Sequence, residues 1–276
     1  MDTYLNIGYD NPIVRNVRFF YGYRCLTASS GDSTNLDVWD CQFQQVDEAI
    51  EVTEGSVALH NVLIVEANSD YPVWLDDIGD FMAEQVTYAD GFAEAMASLS
   101  SGSSHLTNCL SGSTSIYGGW YYAATNGNTA IATTTPIFAN AGNANYYLAP
   151  GSPYRNLGTT NISPDLLAEI QDMTTYAPQD GGWPDTNAPD FGYHYPTNED
   201  STYTGVPDWW IWQWFGNYNE NGTTLDGQGN TLLYDYQNGL DPNTISFTVR
   251  LGNQHSIPRM PPGLISYWVG SPATKR

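Results

Sequence analysis

Trp74 is followed within six residues by three acids, Asp76, Asp77 and Asp80. Hydrolysis of a glycosidic bond uses two carboxyl groups roughly 5 to 9.5 Å apart, and a neighbouring indole can stack on a sugar ring. These are therefore the candidate catalytic acids of the chain, with Glu51 on an adjacent segment as a further partner for Asp76. The competing reading is a solvated turn, because acids are plentiful: 30 Asp and Glu stand against 8 Lys and Arg, a net charge of −22. His60 and His105 have no obvious Ser or Cys partner and read as solvent-facing strand residues rather than members of a triad. Elimination from a polyuronate needs Lys or Arg to neutralise the uronate and take its α-proton. Arg15, Arg18 and Arg24 stand together early in the chain, but no Lys or Arg lies between Cys25 and Tyr154, and Lys275 is the only lysine.

The charge also bounds the partners. A nucleic-acid surface requires clustered cations, and so does binding to anionic membrane surfaces; both classes are excluded. No run is apolar enough to span a membrane, and Met1-Asp2-Thr3-Tyr4-Leu5 has neither the charged start nor the apolar centre of a signal peptide. Three cysteines make no disulfide framework, and no Cys and His spacing resembles a zinc site. Cys41 and Cys109 would lie three coils, or roughly 14 Å, apart, so the cysteines read as small core residues.

What must position any site is a repeat. Val17, Cys41, Val62, Val86 and Cys109 recur with gaps of 24, 21, 24 and 23. A polar residue precedes each: Asn16, Asp40, Asn61, Gln85, Asn108. An aliphatic residue stands three before (Val14, Val38, Leu59, Ala83, Leu106), and a large apolar residue stands two after (Phe19, Phe43, Ile64, Tyr88), failing only at Ser111. A second ladder, Leu26, Ile50, Val73, Met96, runs in step. Apolar positions alternate around each anchor, the period of a half-buried strand. A period of this length means stacked supersecondary units, and enrichment in Val, Ile, Phe and Thr favours strands over leucine-rich repeats. The chain is thus expected to be all-β, a parallel β-helix of about five coils over residues 11–117. The polar residues before the anchors form either a ladder at a bend, bonding backbone groups that the strands leave unpaired, or a solvent-facing row.

Residues 118–160 suggest further irregular coils, with Ile137-Phe138 and Tyr146-Tyr147-Leu148 as their apolar pieces. Ser163-Pro164-Asp165 opens a helix, residues 177–189 form a loop, and Asp190 to Tyr195 a closing strand. The composition changes near residue 198. Pro207-Asp208 opens a helix ended by Gly216, and Thr231 to Asn238 form another, stopped by Gly239. A strand is expected over 245–251, and the tail from His255 shows no pattern. The domains are therefore 1–197, 198–243 and 244–276.

Two stretches carry a resemblance. Gly151-Ser152-Pro153-Tyr154-Arg155-Asn156-Leu157-Gly158, closing at Pro189-Asp190-Phe191-Gly192-Tyr193-His194-Tyr195, resembles the end of the right-handed parallel β-helix (the pectin-lyase-like fold) in large bacterial surface or secreted proteins. Gly205 to Asn217, with Tyr236 to Asn243, is similar to a calcium module related to thrombospondin type 3 repeats. The resemblance implies two loops that hold Ca²⁺ through oxygens at positions 1, 3, 5 and 12, with a backbone carbonyl at 7. It puts Asp200 at position 1 and Asp208 at position 9 of the first loop. In the second it puts Asp226, Gln228 and Asn230 at 1, 3 and 5, with the Leu232 carbonyl at 7. Ile211 and Gln237 then replace the acids at position 12, which implies weak Ca²⁺ binding. Residues 1–10 look too short to cover the strand edges of a first coil, so upstream coils in a larger parent protein are expected, a cytosolic protein being the alternative; the resemblance implies an extracellular or cell-surface setting. The function expected is a non-catalytic structural or adhesive β-helix segment that binds a glycan or another cell-surface ligand; the alternative is a polysaccharide-degrading enzyme using Asp76, Asp77 and Asp80.

Overall fold

The fold comes from a computed structural model that describes residues 3–7, 11–28, 34–69, 71–76, 78–91, 97–99, 103–112, 128–131 and 136–244. The strands are β1 (Thr3–Ile7), β2 (Ile13–Arg15), β3 (Arg18–Phe20), β4 (Arg24–Ala28), β5 (Thr34–Trp39), β6 (Gln42–Gln44), β7 (Glu48–Val52), β8 (Gly55–Val65), β9 (Val73–Leu75), β10 (Ile78–Ala89), β11 (Ala97–Leu99), β12 (Ser103–Thr107), β13 (Cys109–Ser111) and β14 (Thr129–Ile131). They stack as two parallel sheets. One runs β1-β4-β7-β9-β11; the other follows β2-β5-β8-β10-β13-β14, with β12 on β10, β6 on β8 and β3 on β6. The result is a parallel β-solenoid of about four turns, close to the coil count expected.

Inward side chains stack by type. Val14, Val38, Leu59, Ala83 and Leu106 pair in register and are buried, as are Phe19, Phe43, Ile64 and Tyr88. Phe19 and Phe43 lie face to face at 4.8 Å. The second ladder holds at Leu26, Ile50 and Val73, but its next rung is Ala97 rather than Met96, which falls outside the described residues. All three cysteines are buried and free. Burial alone pushes the Cys25 thiol up to about 12, and burial against opposing backbone hydrogen bonds leaves Cys41 at about 11.

The polar residues before the anchors form the ladder at a bend. Asn16, Asp40, Asn61, Gln85 and Asn108 all adopt left-handed backbone, with φ of 57°, 52°, 54°, 56° and 55°. Each turns the strand by leaving the β region for a conformation that costs an L-residue roughly 1 kcal/mol and that Asn and Asp tolerate best. A second corner follows five residues later, at Tyr21, Gln45, Glu66 and Asp90, with φ of 59°, 54°, 54° and 54°.

The rungs also hold the cap. β15 (Phe138–Ala141) and β16 (Ala144–Leu148) form an antiparallel hairpin where irregular coils were expected. Helix α1 (Pro164–Ile170) follows, then β17 (Met173–Thr174) pairs antiparallel with β18 (Tyr195–Pro196). The expected closing strand shrinks to β18 because residues 190–194 bond to the ladder instead. Asn61 Nδ2 donates to Asp40 Oδ1 (2.9 Å) and His194 O (3.0 Å), while His194 N donates to Asn61 Oδ1 (2.7 Å). Asn108 exchanges two 2.8 Å bonds with the backbone of Thr159. The Gln85 amide nitrogen faces Asp190 O at 2.9 Å and Gly192 O at 3.0 Å. Gly192 (φ 84°) lies so close to Thr87 Oγ1 that a Cβ there would collide with it.

Beyond the cap, α2 (Asp208–Phe215) and α3 (Leu232–Asn238) end at Gly216 and Gly239, both left-handed, as the sequence predicts. Trp210, Ile211, Val206 and Leu232 are the buried core between them. The expected strand over 245–251 lies outside the described residues.

The ladder makes a prediction. Asn61→Ala should lower stability by about 2–4 kcal/mol, since it strands buried backbone groups. Asn61→Gly loses the same amide but accepts φ 54°, and should be the milder change by about 0.5–1 kcal/mol. Urea unfolding measures both; a milder Ala variant would show that left-handed backbone is not what this position supplies.

Candidate functional site

Strand alternation that buries Leu36, Val38, Val57, Leu59, Phe81 and Ala83 must turn the intervening residues outward. Three outward rows result on β2, β5, β8, β10 and β12. The first is Asn35, Ser56, Asp80, Ser103; the second Ile13, Asp37, Ala58, Met82, His105; the third Arg15, Trp39, His60, Glu84, Thr107. Between them runs a groove of about 700 Å³, walled at one side by the start of α1 at Ser163.

The first row is a chain of hydroxyl, amide and carboxylate groups. Asn35 Nδ2 donates to Asn11 Oδ1 (2.9 Å), Ser56 Oγ donates to Asn35 Oδ1 (2.5 Å), and Ser103 Oγ donates to Asp80 Oδ1. The third row is a packed column. The Arg15 guanidinium lies 4.7 Å from the centre of the Trp39 ring, and the Trp39 and His60 rings stack at 4.0 Å. Arg15 comes from the coil before and His60 from the coil after, so Trp39 offers the groove an edge rather than a face. His60 is 3% exposed. Its Nδ1 faces Glu84 Oε2 at 3.1 Å and its Nε2 faces Asp37 Oδ1 at 3.3 Å. Glu84 in turn accepts from Ser163 N at 3.0 and 3.2 Å. A carboxylate–imidazole–carboxylate chain thus runs from the base of α1 to Asp37, whose side chain is 39% exposed at the groove.

The candidate acids do not come together as a catalytic set. Asp80 lines the groove, bonded by Ser103. Asp76 is an exposed turn residue after β9, outside the groove lining, and Asp77 lies outside the described residues. Trp74 is on the other sheet, 40% exposed and edge-on to Tyr71. Glu51 pairs in register with Trp74 and is drawn to Arg24 at 2.9 Å. His105 is exposed, as expected, but His60 is not solvent-facing: Trp39 and the α1 segment cover it. Asp37, His60 and Glu84 were missed, although Trp39, His60 and Glu84 stand directly before the polar rungs Asp40, Asn61 and Gln85, so the same period marks them. The described arginines are engaged. Arg15 meets Glu169, Arg18 meets Glu199, Arg24 meets Glu48 and Glu51, and Arg155 lies over Tyr176.

The chain matches no family model, no curated protein and no solved structure.

In the appended module, Asp200 turns its carboxylate back onto its own loop, accepting from Gly205 N (2.6 Å), Thr204 N (3.2 Å) and Thr202 Oγ1 (3.2 Å). Asp208 is buried, faces Ser201 N at 3.4 Å, and is pushed by that burial up to about 7. Asp226 accepts from Gln228 N (2.8 Å) and Asn230 N (2.7 Å), and the Gln228 side chain reaches away to Thr244 O. Leu232 buries its side chain at the start of α3. The acid beside Asp226 and Asn230 is Asp235, shielded from solvent on α3, where burial and the neighbouring Asp226 carboxylate push its carboxyl above the usual range. Among the described residues no three His, Cys, Asp or Glu side chains gather as a metal site.

Removing Glu84 should strand both His60 and Ser163 N–H. Glu84→Leu is therefore expected to cost about 2–4 kcal/mol in urea unfolding, and Asp37→Asn, at the exposed end of the chain, less than about 1 kcal/mol. Comparable losses would mean the column is not anchored at Glu84.

Proposed function

We propose that the protein is a non-catalytic, adhesive β-solenoid of the cell exterior that binds an extended carbohydrate chain in the groove of its long sheet. The observation that carries this reading is the row Asn35, Ser56, Asp80, Ser103, which repeats hydrogen-bonding groups from coil to coil beside a floor of Ala58 and Met82. Sugars offer the matching pattern, hydroxyl edges around apolar ring faces. The groove holds Asp37 and Asp80 and no uncompensated cation among its described residues, which favours neutral or aminated glycans over polyuronates. Catalysis is disfavoured because Glu84 is committed to His60 and Ser163, and Asp80 to Ser103. The hydrolytic alternative draws its support from the chain Glu84–His60–Asp37, which ends at a half-exposed carboxylate.

Titration calorimetry with neutral, amino and uronate oligosaccharides tests the reading. Neutral or aminated chains should bind, Asp80→Asn should weaken them about five- to tenfold, and the chains should be recovered intact. Preference for uronates, or no binding at all, would sink the proposal; cleavage lost in Asp37→Asn would favour the hydrolase.

We propose further that Ca²⁺ is held in the second loop, with Asp235 supplying the acid that the sequence register assigned to Gln237. Two carboxylates and an amide oxygen suit a hard cation, and a cation between Asp226 and Asp235 would relieve the like-charge repulsion that raises Asp235. Asp235→Asn should therefore raise the melting temperature in EDTA and abolish any rise produced by millimolar Ca²⁺. A Ca²⁺-induced rise that survives Asp235→Asn would place the ion elsewhere.

A further inference from the structure

A second cavity, of about 330 Å³, lies at the other corner of the coils. One wall comes from the solenoid: Arg18 and Phe20 on β3, Gln42 and Gln44 on β6, then the left-handed corner residues Tyr21, Gln45 and Glu66. The other wall is Asn143 in the β15–β16 turn and Asn145 on β16, together with the loop Glu199 to Tyr203. The walls are cross-tied. Arg18 Nη2 meets both Glu199 oxygens at 2.5 and 2.6 Å, Asn143 N donates to Ser201 Oγ (2.8 Å), and Ser201 Oγ donates to Ala141 O (3.2 Å). The cavity is therefore formed before any ligand arrives, which removes an ordering cost from binding.

Its chemistry is specific. Five primary amides line it: Gln42, Gln44, Gln45, Asn143 and Asn145. Each amide both donates and accepts, as a sugar hydroxyl does. Gln44 Nε2 donates to Gln42 Oε1 (3.1 Å) and Gln42 Nε2 to Tyr193 Oη (3.0 Å), so the floor amides are oriented from behind. The Arg18 charge is cancelled by Glu199, which leaves Glu66 as the unbalanced charge in the lining. That composition disfavours anions and suits an uncharged polyol.

Two tyrosines flank the cavity, and both are unusual. Tyr21 is 76% exposed and Tyr203 62% exposed, and both hold left-handed backbone at φ 59° and 55°. A bulky side chain in that region is strained, and an exposed ring gains little burial to offset the strain. The Arg18 guanidinium sits 5.2 Å from the centre of the Tyr203 ring and fixes its pose. Rings held this way at the margin of an amide-lined cavity suit the apolar face of a pyranose.

We propose that this cavity is a separate binding site for a single neutral pyranose unit, a free sugar or a chain end, independent of the long groove. The full chain would be titrated by ligand-observed NMR with glucose, galactose, mannose and N-acetylglucosamine at millimolar concentrations. At least one should bind. Tyr203→Ala and Gln45→Ala, both at exposed positions, should each weaken it, the first by about tenfold, while Asp80→Asn in the groove leaves it unchanged. Circular dichroism and melting of each variant verify the fold. The proposal is overturned if none of the four sugars binds the wild-type protein, or if binding survives both cavity variants. Sugar binding lost in Asp80→Asn but retained in Tyr203→Ala would assign it to the groove instead, whereas failure of oligosaccharides to bind the groove leaves this cavity's prediction standing.

Discussion

A coil can close only if its chain turns sharply at fixed points, and here side-chain amides and carboxylates make the first turn possible. Asn16, Asp40, Asn61, Gln85 and Asn108 accept left-handed backbone at the same height of every coil. The side chains of Asn61, Gln85 and Asn108 then supply hydrogen bonds to backbone that is paired with no strand. Without those bonds the residues 154–196 that run over this corner would bury unsatisfied amides, a cost no loop can carry. The ladder thus fixes both the shape of each coil and the position of the cap. Everything functional in the molecule is placed relative to that seam.

The seam divides the outer surface. On one side the residue before each rung faces out, giving the column Arg15, Trp39, His60, Glu84 and the groove beside it. On the other side the chain runs five residues to a second corner, where the cavity of amides and tyrosines lies against the hairpin and the 199–203 loop. The appended module is joined to the solenoid by side chains of opposite charge, through the bidentate contact of Arg18 with Glu199. Burial opposes the charge on Arg18, but the Glu199 carboxylate together with the Tyr203 and Tyr193 hydroxyls outweighs it and holds the guanidinium protonated. In a chain of net charge −22, that engagement leaves the described surface almost without available cations. The molecule is built to present hydroxyls, amides and carboxylates.

The fold was legible because its signal repeats. Inward ladders of Val, Leu and Phe recur at 21 to 24 residues, and hydrophobic burial rewards each rung in the same way. Helices α2 and α3 were legible from their left-handed glycine stops. The hairpin of residues 138–148 was not, since its short apolar pieces say nothing about which strand they pair with. The catalytic reading of Asp76, Asp77 and Asp80 followed from their closeness in sequence. Four residues of separation across a turn suffice to send Asp76 outside the groove and Asp80 into it.

The sequence by itself determined the stacked-coil architecture, the recurrence of a polar residue before each anchor and the core cysteines, because these rest on periodicity and residue type. Only the tertiary structure decided that His60 is buried between Glu84 and Asp37, that the groove and the amide-lined cavity lie on opposite sides of the cap, and that Asp235 rather than Gln237 stands beside Asp226. Each of those depends on which side chains separate segments bring into contact, and a one-dimensional pattern specifies the face a residue occupies but not what will cover it.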